Sequence, residues 1–303
     1  MHNHSHGQGH SHAEHFDTHN KAFAIAVILN LGFVIIEAVY GVLADSLALL
    51  ADAGHNLSDV LGLAMAWTAS WLASRKATDR NTYGLKKTTI LAALFNALFL
   101  IAAVGGIAWE AIRRFNDPAD VAGLTVIVVA SIGVLINGVT MLLFLKGQKG
   151  DLNIRGAFLH MAADTMVSVG VVIAGLIILI TDVRWIDPMV SLVIAVVIFI
   201  GTWRLLKDSV SLAVDAVPKS ISPGEVLEKL QALPGVASAH HLHIWALSTT
   251  ENALTVHLVK PDSGDDDQVI EQATHMLNHD FNIQHVTIQW ERAIIGCPNV
   301  SKC

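Results

Sequence analysis

Apolar residues in this chain fall into long blocks, not the short alternations of a soluble domain. Six stretches, at about 23–43, 48–72, 88–112, 123–146, 154–180 and 186–206, each reach the about 20 residues that cross the roughly 30 Å hydrocarbon core of a bilayer. Polar or breaker-rich segments separate them: Ala44-Asp45-Ser46, Ser74 to Lys87, Asn116-Asp117-Pro118, Gly147 to Asn153 and Thr181 to Pro188. The pattern predicts six transmembrane helices that return the chain to its starting side.

After Lys207 the pattern changes. Ser222 and Pro223 open an amphipathic helix, with Ser222 as N-cap, Pro223 at the first helical position and Glu225 in the capping-box position. Pro234-Gly235 stops it. Val236 to Leu247 and Ala253 to Lys260 read as strands, Asp265 to Asp280 as a second helix, and Val286 to Glu291 as a third strand, alternating at Val286, Ile288 and Trp290. The expected fold class is therefore an all-α six-helix membrane domain followed by a small α/β domain, ferredoxin-like or metallochaperone-like by element order. The expected divisions are a flexible tail at 1–20, a membrane domain at 21–208, an α/β domain at 209–292 and a short tail at 293–303.

Composition sharpens this picture. Hydrophobic residues make up 53% of the chain and charged ones 15%, well below the roughly 25% charged usual in soluble domains. A net charge of -7 leaves no basic stripe for phosphates and removes nucleic acid as a partner. Lys and Arg set the orientation. Arg75, Lys76, Arg80, Lys86 and Lys87, then Lys146, Lys149 and Arg155, then Arg204 and Lys207 lie on one side, against Arg113, Arg114 and Arg184 on the other. Both termini are thus expected in the cytoplasm. Lys21 is the first basic residue, so the first apolar block reads as an uncleaved helix and not a signal peptide. Of 16 histidines, His2, His4, His6, His10, His12, His15 and His19 crowd the start, a composition suited to a flexible metal-capturing tail. Cys297 and Cys303 build no disulfide framework; thiolate capture of metal and a plain tail are both open.

The chemistry lies inside the apolar blocks. His55-Asn-Leu-Ser-Asp59 and His160-Met-Ala-Ala-Asp164 repeat one H-x-x-x-D spacing. On a helix, positions i and i+4 share a face, so two such helices offer two imidazoles and two carboxylates to one point. Four nitrogen and oxygen donors suit a tetrahedral divalent ion such as zinc, and two carboxylates balance its charge. A lone intramembrane His or Asp can be a simple interhelical hydrogen bond; two identical pairs point to an ion pathway. Asp52, one turn before His55, reads as a supporting or entrance residue. Glu37 and Glu110 are expected near the membrane interfaces, and Asn30, Asn96 and Asn137 have no ligand role.

The run from Ser46 through Asp52 and His55 to Asp59, together with His160 to Asp164, Tyr83-Gly84, Ile90 to Asn96 and His241-Leu-His-Ile-Trp245, resembles the cation diffusion facilitator family over nearly the whole chain. The resemblance implies a homodimeric zinc/proton antiporter in the plasma (inner) membrane. In it His55, Asp59, His160 and Asp164 are the transport ligands, and the C-terminal domain is cytoplasmic, binds metal and dimerises. The two-His, two-Asp set resembles the zinc branch, with cadmium and cobalt as further substrates. The family often carries Arg and Glu after Tyr-Gly where this chain has Lys86, Lys87, Thr88 and Thr89, which puts any ion pair there in question. The resemblance also favours a cytoplasmic zinc site of His240, His257 and Glu291, with Gln289 where relatives can have a histidine. Strand alternation predicts that His241, His243 and Trp245 face one way and His240, Leu242 and Ile244 the other. His275, His279 and His285 read as solvated residues.

The expected cycle exchanges zinc for protons, because metal binding needs neutral histidine and ionised aspartate. No Walker A motif occurs, so nucleotide hydrolysis is not its energy source. Two other classes fit the sequence less well. An intramembrane metalloenzyme lacks its H-E-x-x-H signature, and a membrane metal sensor leaves the intramembrane quartet unexplained.

Overall fold

A computed structural model describes residues 28, 30–117, 119–145, 152–262 and 264–293. The histidine-rich start, the beginning of the first apolar block, Lys146, Lys149, Cys297 and Cys303 lie outside the described residues. Six helices occupy the apolar blocks: α1 (Asn30–Leu43), α2 (Leu47–Ala73), α3 (Thr88–Arg114), α4 (Gly123–Phe144), α5 (Leu152–Thr181) and α6 (Ile186–Ala213). Among the described residues, four helices are long and apolar enough to cross a membrane, within α3 to α6. Their most apolar windows are 22–33% buried, so most of their apolar surface faces outward, as lipid-facing helices require. α6 runs beyond the predicted end at Leu206 to Ala213.

The chain condenses into two compact units. One takes the residues up to Leu61 together with Phe99–Thr202, and the other takes Gly62–Leu98 together with Trp203 onward. The first unit packs around Phe33, Leu49, Leu100, Val126, Val171 and Ile194. α4 and α5 come within backbone contact there: a β-carbon placed on Gly123 would meet the Gly175 carbonyl at 3.0 Å. Small residues at such a crossing let membrane helices approach closely.

The helix ends of this unit are pinned by polar side chains. Ser46 caps α2, accepting from Leu49 N at 3.3 Å and donating to Asp187 Oδ1 at 2.5 Å. Asp187, at the start of α6, also accepts from Leu47 N at 2.8 Å and Ala48 N at 3.3 Å. Two orphan donors of α2 are therefore satisfied from another helix. Arg114, part of the pair that opposed the charge rule, donates to Asp45 Oδ1 at 2.6 Å and to Glu110 at 3.5 Å. Arg113 meets Glu110 at 3.1 Å, and Arg184 meets Asp120 at 2.7 Å. Each arginine of the opposing side thus has an acidic partner. Glu37 is fully buried.

In the second unit the segment after α2 turns at Gly84, which has a left-handed φ of 72 and where a β-carbon would stand 3.1 Å from the Arg75 carbonyl. The neighbouring lysines form ion pairs of their own: Lys86 with Glu251, and Lys87 with Asp215 at 2.7 Å. The α/β portion follows the predicted order: α7 (Pro223–Gln231), β1 (Ser238–Ala246), β2 (Asn252–Val259), α8 (Asp266–Phe281) and β3 (Ile283–Glu291). Ser222 caps α7 as expected, accepting from Glu225 N at 3.4 Å. The sheet order is β1-β2-β3, with β1 antiparallel and β3 parallel to β2. Val226, Leu230, Ala273 and Leu277 of the helices bury one sheet face, with Leu254, Val256 and Leu258 of β2.

The other face departs from simple alternation. His240 pairs with His257 and His243 with Thr255, so a bulge of one extra residue lies between them. His241 takes φ 50 there. Ala239, Ile244 and Ala246 are all buried, which uninterrupted alternation from 239 to 244 forbids. The predicted faces of β1 are corrected accordingly: His240, His243 and Trp245 share the outer face, while Ile244 faces the core.

Candidate metal centre

The two H-x-x-x-D pairs meet as their spacing predicts. α2 presents His55 and Asp59, and α5 presents His160 and Asp164. Across the helices, His55 Nε2 lies 3.2 Å from Asp164 Oδ1, and His160 Nε2 lies 3.2 Å from Asp59 Oδ2. Within each helix the separations are 3.7 Å for His55–Asp59 and 3.6 Å for His160–Asp164. Donors about 2.0–2.1 Å from a tetrahedral zinc stand about 3.3 Å apart, close to each of these four spacings, although His160 falls outside the set of donors that lie within reach of one another. His55, Asp59 and Asp164 each offer a donor within 4.8 Å of the other two. The quartet is widest along its histidine diagonal, with ring centres 6.0 Å apart. Asp59 Oδ2 and Asp164 Oδ2 are buried and accept no hydrogen bond from the protein, leaving them available to a cation.

A buried polar layer supports this set. Ser168 of α5 donates to Asp52 Oδ2 at 3.0 Å, consistent with the supporting role read for Asp52. Asn56, next to His55, donates to Glu37 Oε2 at 3.2 Å. Sequence reasoning missed the depth of Glu37 and the cap made by Asp187. The signal for Glu37 was its position, mid-block in α1 and far from any basic residue.

A second cluster lies on the open sheet face. His257 Nδ1 meets Glu291 Oε1 at 2.8 Å, and His240 Nε2 meets Glu291 Oε2 at 3.3 Å. Donors of these three residues fall within 4.8 Å of one another. Of the histidines read as solvated, His275 and His279 are exposed, whereas His285 is half-buried. His279 pairs with Asp280 at 2.8 Å and His275 stacks on it. His285 joins Lys86 at 3.1 Å and Glu251 at 3.5 Å. The hydrogen bond from Lys86 holds the Glu251 carboxyl below the usual glutamate range.

Two family models account for most of the chain. Residues 23–212 match the cation efflux transmembrane domain, and residues 218–293 match the cation efflux protein cytoplasmic domain. The chain belongs to the cation efflux family. It is therefore a multi-pass integral membrane protein of a transporter family and not an enzyme. Among curated cation efflux proteins, it is 38% identical to the metal cation efflux system protein CzcD of Cupriavidus metallidurans, over 95% of this chain and 91% of that one. It is 35% identical to a cadmium, cobalt and zinc/H(+)-K(+) antiporter of Bacillus velezensis, over 97% of this chain and 96% of the relative. It is 36% identical to the zinc transporter ZitB of Escherichia coli, over 95% and 92%. In this member of the cation efflux family, the His55, Asp59, His160 and Asp164 set lies inside the part matched by the transmembrane model, and the His240, His257 and Glu291 cluster inside the part matched by the cytoplasmic-domain model.

Proposed function

We propose that this protein exports zinc from the cytoplasm in exchange for protons, with cadmium and cobalt as further substrates. The transport ligands are His55, Asp59, His160 and Asp164. The observation that carries the reading is the ring of four imidazole–carboxylate approaches at 3.2–3.7 Å, two of them within α2 or α5 and two across the pair. Two ionised aspartates and two neutral histidines neutralise a divalent ion in a low-dielectric layer. Protons compete for the same atoms, since His must be neutral and Asp ionised to bind metal. Exchange follows from that competition: zinc displaces protons on the cytoplasmic side, and protons displace zinc outside. Transport relatives named for zinc, cadmium, cobalt and proton antiport support the same assignment.

On this reading all six helices cross the plasma (inner) membrane and both termini are cytoplasmic. Residues 21–208 form the transport domain, and 209–292 form a ferredoxin-like domain that assembles a homodimer. That domain binds zinc through His240, His257 and Glu291. The histidine-rich segment at 1–20 feeds metal to the carrier. A sensor that does not transport has no use for the quartet inside the apolar helices, and four protein ligands leave a metalloenzyme no open coordination position.

The test is flux. In vesicles with an imposed pH gradient, wild-type protein moves Zn²⁺ and carries protons the other way, while Asp59→Ala and Asp164→Ala abolish both movements. Equal zinc flux in the wild type and either variant removes the quartet from the mechanism.

A further inference from the structure

Glu37 of α1 and Asp52 of α2 stand outside the quartet, and both are 0% exposed. One oxygen of each carboxyl is met by a neighbour: Asn56 donates to Glu37 Oε2 at 3.2 Å and Ser168 to Asp52 Oδ2 at 3.0 Å. The other oxygens, Glu37 Oε1 and Asp52 Oδ1, are buried and have no donor among the described residues. The two carboxyls are hydrogen-bonding neighbours of each other.

That contact carries a requirement. Ionised carboxylates only accept, so two of them form a hydrogen bond only with a proton between them. Two like charges in contact also cannot both persist away from water without a counter-charge. The groups acting on the pair from its surroundings are Asn56, Ser168, His55 and Asp164, with no lysine or arginine among them. A hard cation such as K⁺ takes a shell of several oxygens, and two carboxyls in direct contact leave no gap for one.

We propose that Glu37 and Asp52 form a second proton site of the carrier, apart from the metal ligands, with one proton shared between α1 and α2. With the proton in place, the pair ties α1 to α2 beside the quartet, since Asp52 lies one turn before His55 and its partner Ser168 one turn beyond Asp164. When the proton passes to water, two carboxylates are left face to face and their repulsion parts α1 from α2. Proton occupancy thus biases the position of the helix that carries His55 and Asp59 without any contact with the metal. This rests on the reading of the chain as a proton-coupled exporter, and adds to its exchange a proton that no metal ligand holds.

The experiment compares the full-length protein with Glu37→Gln, an isostere that still donates to Asp52 but releases no proton, and with Glu37→Asp. Infrared spectra of zinc-free protein in detergent should show a protonated carboxyl that Glu37→Gln lacks. Glu37→Gln should bind zinc in detergent as the wild type does. In vesicles with an imposed pH gradient it should move zinc roughly 5–150-fold more slowly, the range of a coupling between two sites, and carry fewer protons per zinc. Glu37→Asp should recover part of the rate. A wild-type spectrum without that band, or a band that persists in Glu37→Gln, overturns the shared proton. Zinc and proton movement in Glu37→Gln equal to the wild type overturns its part in the exchange. Wild-type flux that needs K⁺, with the need lost in Glu37→Gln, assigns the pair to a hard cation and overturns the proton. A wild type that moves no zinc overturns the exporter reading instead, and the infrared band alone then decides whether the pair holds a proton.

Discussion

Asp187 offers a stringent test of how the transport helix is held. Its carboxylate is 1% exposed and accepts from Ser46 Oγ, Leu47 N and Ala48 N. Asp187→Ala leaves two backbone N–H groups at the buried start of α2 without an acceptor, and Ser46 without its partner. An unmet buried donor costs about 1–3 kcal/mol. Removing the desolvated carboxylate offsets part of this, giving a net loss of about 2–4 kcal/mol. At about 2–4 °C per kcal/mol for chains of 150–250 residues, the melting temperature should fall on the order of 5–10 °C. Asp187→Asn keeps one oxygen acceptor and should lie between the two. Ser46 and Asp187 belong to one network, so the double change Ser46→Ala/Asp187→Ala should cost less than the sum of the singles, by about 0.5–3 kcal/mol. Thermal unfolding of detergent-purified protein reads the loss. Zinc flux should fall with it, because α2 carries His55 and Asp59. Asp187→Ala melting within a degree of the wild type would show that the N-terminus of α2 is held by something else.

Two further outcomes follow from packing and charge. A β-carbon on Gly133 would stand 2.6 Å from Phe33 Cζ, so Gly133→Ala should cost about 1–3 kcal/mol by forcing the buried ring and α1 away from α4. Gly138, with nothing within 4 Å, should accept alanine without loss, and thermal unfolding of the two variants checks the contrast. In the α/β portion, hydrogen bonds from Arg292 and Lys260 push the Asp266 carboxyl down to about 2. A depressed carboxylate stabilises above its unfolded value near 3.9 and loses that contribution as pH falls toward its folded value. The stability difference between wild type and Asp266→Asn should therefore be full at pH 5 and close as pH approaches 2, as measured by denaturant unfolding across that range.

Most of the fold was written in features with a strong local period. Twenty-residue apolar blocks and the Ser222-Pro223 cap depend on neighbours in sequence, and so did the H-x-x-x-D pairs, whose helical spacing sets their direction. What the sequence hid depends on partners far along the chain. Asp187 reads as an ordinary loop or helix-start acid, since nothing local announces that it receives donors from α2, 139–141 residues away. The burial of Glu37 depends on a partner, Asn56, that belongs to another helix. The bulge at His241 escaped because no glycine marks it, and alternation was the default. Lys86 and Lys87 find Glu251 and Asp215 only through the fold.

The touching backbones of Gly123 and Gly175 have a mechanical consequence. Gly175 lies fifteen residues beyond His160 on α5, about 22 Å along the axis. With the glycine crossing as fulcrum, a tilt of about 10° swings His160 through about 4 Å over that arm. That stroke exceeds the 3.2 Å between His160 and Asp59. A modest rocking of one helix against its neighbour is thus sufficient to take the four-sided cage from closed to open, with no unwinding of either helix.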